Sequence, residues 1–374
     1  MKNYLGFLVC ILVLKCGTST KVASDKGGGN DTTFVLFSNS NIQYEGRVGL
    51  NKMEAAELYW SGTTVRISFE GTGIKALLKD LTGQNYYNII IDGDSIHKIK
   101  IDTTKHLYTL AQNLPHRKHT IELFKRTQIH KEYNRGYTKF YGFELDKGSR
   151  VLKPPALKKR KIEFYGNSVT CGHAIEDTTA GDSGASIYEN NYLSYAALTA
   201  RHYNAQYSCI SKSGIGLMVS FGSLIMPEMY KMLNPFDSTS LWDFAKYTPD
   251  IVLVNLCQND AGIVKRPEYE HFKKRFGTLP PTEEFIIKSY ADFLVTIRTR
   301  YPNTNIICAL GSMNTTQDGS PWPGYVEKAL TRMNDKKIFT HFFQYKNTPG
   351  HPRVKDNKIM AESLIKFIDT NIKW

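Results

Sequence analysis

The chain has 374 residues, 41% of them apolar and 22% charged, with a formal net charge of +13. This length exceeds the roughly 100 to 200 residues of a single core, so two domains are expected, and the apolar content excludes long disorder. The charge and the run Lys158-Lys159-Arg160-Lys161 suggest nucleic acid or a nuclear address, but an export leader and the lack of any nucleic-acid motif exclude that class.

Met1 to Tyr4 carries a positive charge, and Leu5 to Leu14 is an unbroken apolar run. A bilayer-spanning helix needs about 20 apolar residues, so residues 1–20 read as a signal peptide with no integral membrane span, and the protein as secreted or periplasmic. Lipidation at Cys16 is the alternative, disfavoured by Lys15 where a small residue is wanted. Gly27-Gly28-Gly29-Asn30 marks residues 21–32 as a flexible lead-in.

From 33 to 146 the pattern is short and β-like: Thr64 to Phe69, Tyr86 to Ile91, Ile99 to Ile101, Thr120 to Phe124 and Lys139 to Leu145, separated by turn signals such as Asp92-Gly93-Asp94. This spacing predicts a β-sandwich. Pro154-Pro155 and the basic run make 147–161 a linker with a solvated end. From 162 to 374 strands alternate with helices. Strands are predicted at Ile162 to Tyr165, Ala205 to Ile210, Asp250 to Leu256, Asn305 to Leu310 and Lys337 to Phe343. Helices are predicted at Tyr192 to His202, Thr282 to Arg300, Tyr325 to Met333 and about Lys355 to Ile372. Such alternation implies a parallel sheet between two helical layers, with the ligand site beyond the carboxyl ends of the strands. Cys171, Cys209, Cys257 and Cys308 are too few to staple a chain of this length, and no spacing of metal ligands is visible, so neither metal nor cofactor is expected.

Gly166-Asn167-Ser168-Val169-Thr170 directly follows the first strand of this half. A serine there is exposed at the sheet edge, and the helix start offers backbone N–H groups to a developing oxyanion. Thr170 departs from the second glycine of an α/β-hydrolase elbow, and by itself the serine could equally be a helix cap. Ser213-Gly214 follows the second strand, where two glycines are also an ordinary turn; Gln258-Asn259-Asp260 follows the third, where asparagine is also a common turn residue; Gly350-His351-Pro352 precedes the last helix.

In this order the four blocks resemble those of the SGNH (GDSL-type) hydrolases. The resemblance implies Ser168 as nucleophile, His351 as base, and the backbone of Ser168, the N–H of Gly214 and the amide of Asn259 as oxyanion hole. Tyr44-Glu45-Gly46-Arg47, Tyr59-Trp60-Ser61-Gly62, Phe69-Glu70-Gly71 and Phe140-Tyr141-Gly142-Phe143, with Met226-Pro227-Glu228 and Trp242-Asp243-Phe244 in the second half, are similar to carbohydrate esterase family 2. That implies a jelly-roll β-sandwich followed by an α/β three-layer, flavodoxin-like SGNH-hydrolase domain. It also implies acetylxylan esterase-like removal of O-acetyl groups from xylan, mannan or glucomannan, with acetylated polysaccharide or oligosaccharide as partner.

Two departures lie beside the catalytic positions: Asn167 stands where the family pattern has aspartate, and Cys257 where it has glycine. A third concerns the base. Thr348 occupies the position three residues before His351 where these hydrolases place aspartate; the resemblance to carbohydrate esterase family 2 implies a Ser-His dyad with the ring held by a backbone carbonyl, which this loss fits, and recruitment of Asp243 or Asp318 is the alternative. Trp322, in a loop after the fourth strand, is a candidate for stacking on a sugar, its alternative being a buried anchor. Other acyl donors (a sialic acid, peptidoglycan or lipid ester) and a non-catalytic carbohydrate-binding protein are the competing functions.

Overall fold

Short apolar strands between turns build the first half. In a computed structural model that describes residues 32–50, 54–179 and 181–374, together with Met1, twelve strands form among the described residues up to Leu152. They are β1 (Thr33–Leu36), β2 (Gln43–Glu45), β3 (Val48–Gly49), β4 (Ala56–Leu58), β5 (Thr64–Gly71), β6 (Ile74–Asp80), β7 (Tyr86–Ile91), β8 (Ser95–Lys100), β9 (His106–Ala111), β10 (Arg117–Lys125), β11 (Thr138–Leu145) and β12 (Arg150–Leu152). Two antiparallel sheets result, in orders β3-β4-β11-β6-β9 with β1 on β11, and β12-β5-β10-β7-β8 with β2 on β5. Val65, Ile67 and Phe69 of β5 face Ala76, Leu78, Phe140 and Phe143 of the other sheet in one buried core. The residues called signal peptide and lead-in, Cys16 among them, lie outside the described residues except Met1 and Thr32.

The second half holds β13 (Lys161–Gly166), β14 (Gln206–Ser211), β15 (Ile251–Asn255), β16 (Asn305–Leu310) and β17 (Ile338–Phe342), all parallel, in the order β14-β13-β15-β16-β17. Helices α1 (Ser168–Cys171), α2 (Tyr195–His202), α3 (Met226–Met229), α4 (Gln258–Ile263), α5 (Glu270–Phe276), α6 (Glu283–Arg300), α7 (Trp322–Met333) and α8 (Val354–Asn371) complete it. Alternate strand residues serve opposite layers. Val252, Val254, Ile306, Cys308 and Leu310 pack under α6 and α7, while Ile251, Leu253, Ile307 and Ala309 pack under α2 and α8. A doubly wound sheet in this order has its ligand crevice at the switch point, here between β13 and β15. All four cysteines of this half are buried and free.

The halves share their cores. Tyr59, Trp60 and Ile129 of the sandwich belong to the cluster under α6, and Ile90 and Phe124 to the cluster under α2. Arg47 is fully buried between them: its guanidinium donates to the carbonyls of Tyr230 and Met232 at 2.5 and 3.1 Å and to Glu163 at 3.4 Å. Removing one partner of such a pair costs about 3–5 kcal/mol, because a charge is left buried and unpaired. Part of the predicted linker is ordered into this junction: β12 pairs with β5, Lys158 reaches Glu45 at 3.4 Å, and Arg160 lies over Trp374 at 4.7 Å. The basic run is therefore engaged with the protein at Lys158 and Arg160, not wholly solvated as its composition suggests.

Candidate active site

β13 brings the chain to the switch point, where Gly166 and Asn167 turn it into α1. A Cβ on Gly166 would stand 2.0 Å from Thr170 Oγ1, so the turn closes only around glycine. Thr170 fills that space and bonds Tyr195 OH at 2.9 Å. Asn167 Oδ1 accepts the N–H of Val169 at 3.1 Å, a cap that needs an acceptor and no charge, so asparagine serves where the family has aspartate. Ser168 is thereby the first residue of a one-turn helix, its Oγ 2.7 Å from His351 Nε2.

The expectation that His351 lacks a carboxylate partner is overturned. Asp182 Oδ2 lies 2.5 Å from His351 Nδ1, and both oxygens of Asp182 accept the backbone N–H of His351 at 3.2 Å. The carboxylate comes from the loop after α1 instead of the segment before the histidine. Arg353 ties that loop down, donating to Asp182 Oδ1 at 2.8 Å and to the carbonyls of Ala174, Thr179 and Gly181. Asp177 folds the loop on itself by accepting the N–H groups of Thr179 and Ser183 at 2.9 and 2.8 Å. Burial opposes the charge of Asp182, but the hydrogen bonds and charge of His351, with the hydrogen bond of Arg353, outweigh it and hold the carboxyl below its usual range. Burial lowers the pKa of His351 and outweighs the opposing pull of Asp182, which favours the neutral, basic ring near neutral pH.

Gly214 sits at φ +76°, a left-handed backbone that suits glycine. Among the described residues nothing accepts a hydrogen bond from the N–H of Ser168 or of Gly214. Asn259, which lines one cavity with Ser168 and His351, donates from Nδ2 to the carbonyl of Ile215 at 2.7 Å, which leaves the amide's second N–H without an acceptor among the described residues. Behind it, the buried Asp260 accepts the N–H groups of Leu217, Met218 and Val219 at 2.9, 2.7 and 3.1 Å and so shapes the loop after β14. Cys257 has φ +71°, which accounts for the glycine usual at that place: the backbone is left-handed there and a side chain is strained.

Ser168, Gly214, Asn259 and His351 line one cavity of about 310 Å³. Its far wall comes from the sandwich: His130, Glu132 and Tyr133 of the β10–β11 connection. Tyr133 and Phe221, 53% and 42% exposed, line this cavity together with the polar side chains of His130, Glu132, Lys212 and Asn259. His173 stands edge-on to His351 at 4.9 Å and bonds the buried Glu189 at 2.9 Å. Trp322 is not in this cavity. Helix α7 begins at Trp322, three residues earlier than expected, and carries the indole into the core, 4% exposed and edge-on to Tyr325 at 5.6 Å. With Asp318 it borders a separate cavity of about 700 Å³. Asp243 caps the turn at Phe244 to Lys246. Neither aspartate is the partner of His351. Asp182 and the wall residues His130, Glu132 and Tyr133 are not singled out by the sequence, which leaves open whether the β-domain builds one wall of the cleft; the one local signal for Asp182 is a Gly, Ser and Thr-rich stretch with two carboxylates, Asp177 and Asp182, between the serine and the next helix.

Residues 44–155 match the family model described as carbohydrate esterase 2 N-terminal. The cellulase/esterase CelE of Acetivibrio thermocellus is 31% identical over 349 residues; the match takes in 90% of this chain, which spans only 40% of that protein's length. An acetylxylan esterase / glucomannan deacetylase of Cellvibrio japonicus is 24% identical over 356 residues, 92% of this chain and 93% of the other. A solved family two carbohydrate esterase from Clostridium thermocellum, in complex with cellohexaose, superposes with a TM-score of 0.77 at 29% identity, over 88% of this chain and 98% of that one.

Proposed function

The chain belongs to carbohydrate esterase family 2, and from that premise we propose that it is an exported serine esterase removing O-acetyl groups from a plant-type polysaccharide such as xylan, mannan or glucomannan. The observation that carries the reading is the 2.7 Å contact of Ser168 Oγ with His351 Nε2 beside two backbone N–H groups that have no acceptor among the described residues. Export rests on the leader at 1–20. The proposed division is a jelly-roll domain at 33–146 and an SGNH-hydrolase domain at 162–374, joined through 147–161.

Ser168 Oγ attacks the acetyl carbon while His351 Nε2 takes its proton. The N–H groups of Ser168 and Gly214 and the amide of Asn259 stabilise the oxyanion, and Asp182 supports the imidazolium. Collapse returns the proton to the departing sugar oxygen and leaves acetyl-Ser168. Water, deprotonated by His351, then releases acetate. Polar and charged side chains (His130, Glu132, Lys212, Asn259) interleaved with exposed Tyr133 and Phe221 support a glycan over a lipid ester, whose chain wants a continuous apolar tunnel. The names of the CelE and Cellvibrio relatives support the acetylated glycan as substrate.

Ser168→Ala is expected to keep the fold and lower turnover of 4-nitrophenyl acetate and acetylated xylan by at least about a thousandfold. Residual activity near the wild-type rate in pure variant would refute the assignment.

A further inference from the structure

A peptide unit is planar and trans, so the carbonyl of Ser213 and the N–H of Gly214 lie in one plane and point in opposite directions. Whatever holds that carbonyl aims that N–H. The group that holds it comes from the other half of the protein: His130 Nε2 lies 3.1 Å from the carbonyl oxygen of Ser213. Because the acceptor is a carbonyl, Nε2 carries the hydrogen.

The same sandwich loop grips the preceding peptide. Gln128 Oε1 accepts the N–H of Ser213 at 2.7 Å, and Gln128 Nε2 donates to Ser213 Oγ at 2.8 Å. Gln128 and His130 are themselves fixed. The backbone N–H of Gln128 donates to the buried Glu189 at 3.1 Å, which also takes the Arg135 guanidinium. His130 and Arg135 exchange backbone hydrogen bonds of 2.9 Å in both directions, and the His130 ring stacks on Tyr133 at 4.0 Å.

We propose that His130, with Gln128, is a positioning residue for catalysis: it locks the Ser213–Gly214 peptide so that the Gly214 N–H is preset toward the oxyanion, making the β-sandwich half part of the catalytic machinery. The bond also polarises the peptide, since a carbonyl that accepts a hydrogen bond strengthens its own N–H as a donor. Preset donors matter because they need no reorganisation when charge develops, whereas a peptide free to rotate loses that advantage. The inference rests on the acyl-transfer reading above.

The test compares wild type, Ser168→Ala, His130→Phe and His130→Gln on 4-nitrophenyl acetate, with a crystal structure of His130→Phe. Phenylalanine keeps the ring over Tyr133 and removes the donor; glutamine returns an N–H near the place of Nε2. For His130→Phe, kcat is expected to fall about 10- to 100-fold with KM within about twofold, and His130→Gln to recover to within about threefold of wild type. Unchanged kcat in His130→Phe, a loss carried by KM, or no rescue by glutamine overturns the inference. Should His130→Phe not fold, His130→Asn, whose amide stands at the place of Nδ1, takes its part with the same expectations. A wild type no faster than Ser168→Ala overturns the acyl-transfer reading instead. In that event the structure of the donor-less variant still decides: a Ser213–Gly214 peptide in its original orientation overturns the positioning role, and a rotated one upholds it.

Discussion

Replacing Asp182 with asparagine tests the triad, because it keeps the size of the side chain and removes the charge that faces His351 Nδ1 at 2.5 Å. The rate-limiting rise in energy includes the formation of an imidazolium, and a carboxylate stabilises that ion. Two unit charges about 4 Å apart at an effective dielectric of about 20 attract by about 4 kcal/mol. Two features reduce this. Arg353 already occupies the other oxygen at 2.8 Å, and the side chains of Asp182 and His351 are 19% and 21% exposed, so water screens the pair. About 2–3 kcal/mol remains, which corresponds to a fall in kcat of about 30- to 150-fold. KM should change little, since Asp182 does not line the cavity. A second readout follows from sign. Asp182 raises the pKa of His351 against burial, so its loss lowers that pKa further, and the acid limb of kcat/KM moves to lower pH. Full pH profiles on 4-nitrophenyl acetate measure both effects. A variant with wild-type kcat and an unmoved acid limb refutes the argument and restores a working dyad.

Asn259→Ala removes a donor expected to act on the oxyanion, and kcat should fall about 100- to 1000-fold with KM nearly unchanged; a change confined to KM would assign Asn259 to substrate positioning. Trp322→Ala should cost about 3–5 kcal/mol of stability in a denaturant melt while leaving KM for acetylated oligosaccharides unaltered. A raised KM with an unshifted midpoint would return Trp322 to the substrate site. In wild type, burial holds His351 below the ordinary imidazole range, so kcat/KM should reach its plateau at a pH lower than a free histidine would set; an acid limb above about 6.5 contradicts this.

What the sequence determined by itself is whatever depends on neighbours along the chain. Short β-like runs between turn signals located β5, β7, β10 and β11, and the five strands of the parallel sheet lie where their apolar runs predict, within about two residues, because each strand must bury its own side chains. Ser168, Gly214, Asn259 and His351 were singled out by the resemblance of their four blocks to the SGNH hydrolases, and the sheet explains why they line one cavity. In a doubly wound sheet the loops that follow the strands all open at one edge, so residues far apart in sequence are brought together by strand order alone. Asp182 was not legible, since the carboxylate that orients a histidine need only reach Nδ1, and here a loop 169 residues away does so under the grip of Arg353 and Asp177. Nor was the fate of Trp322, which turned on whether α7 began at residue 322 or 325. The largest decision left to tertiary structure was how the halves meet. Buried Arg47 and the hydrogen bonds of Gln128 and His130 to Ser213 join a sandwich to the sheet edge, and no periodicity within either half records a contact made between them.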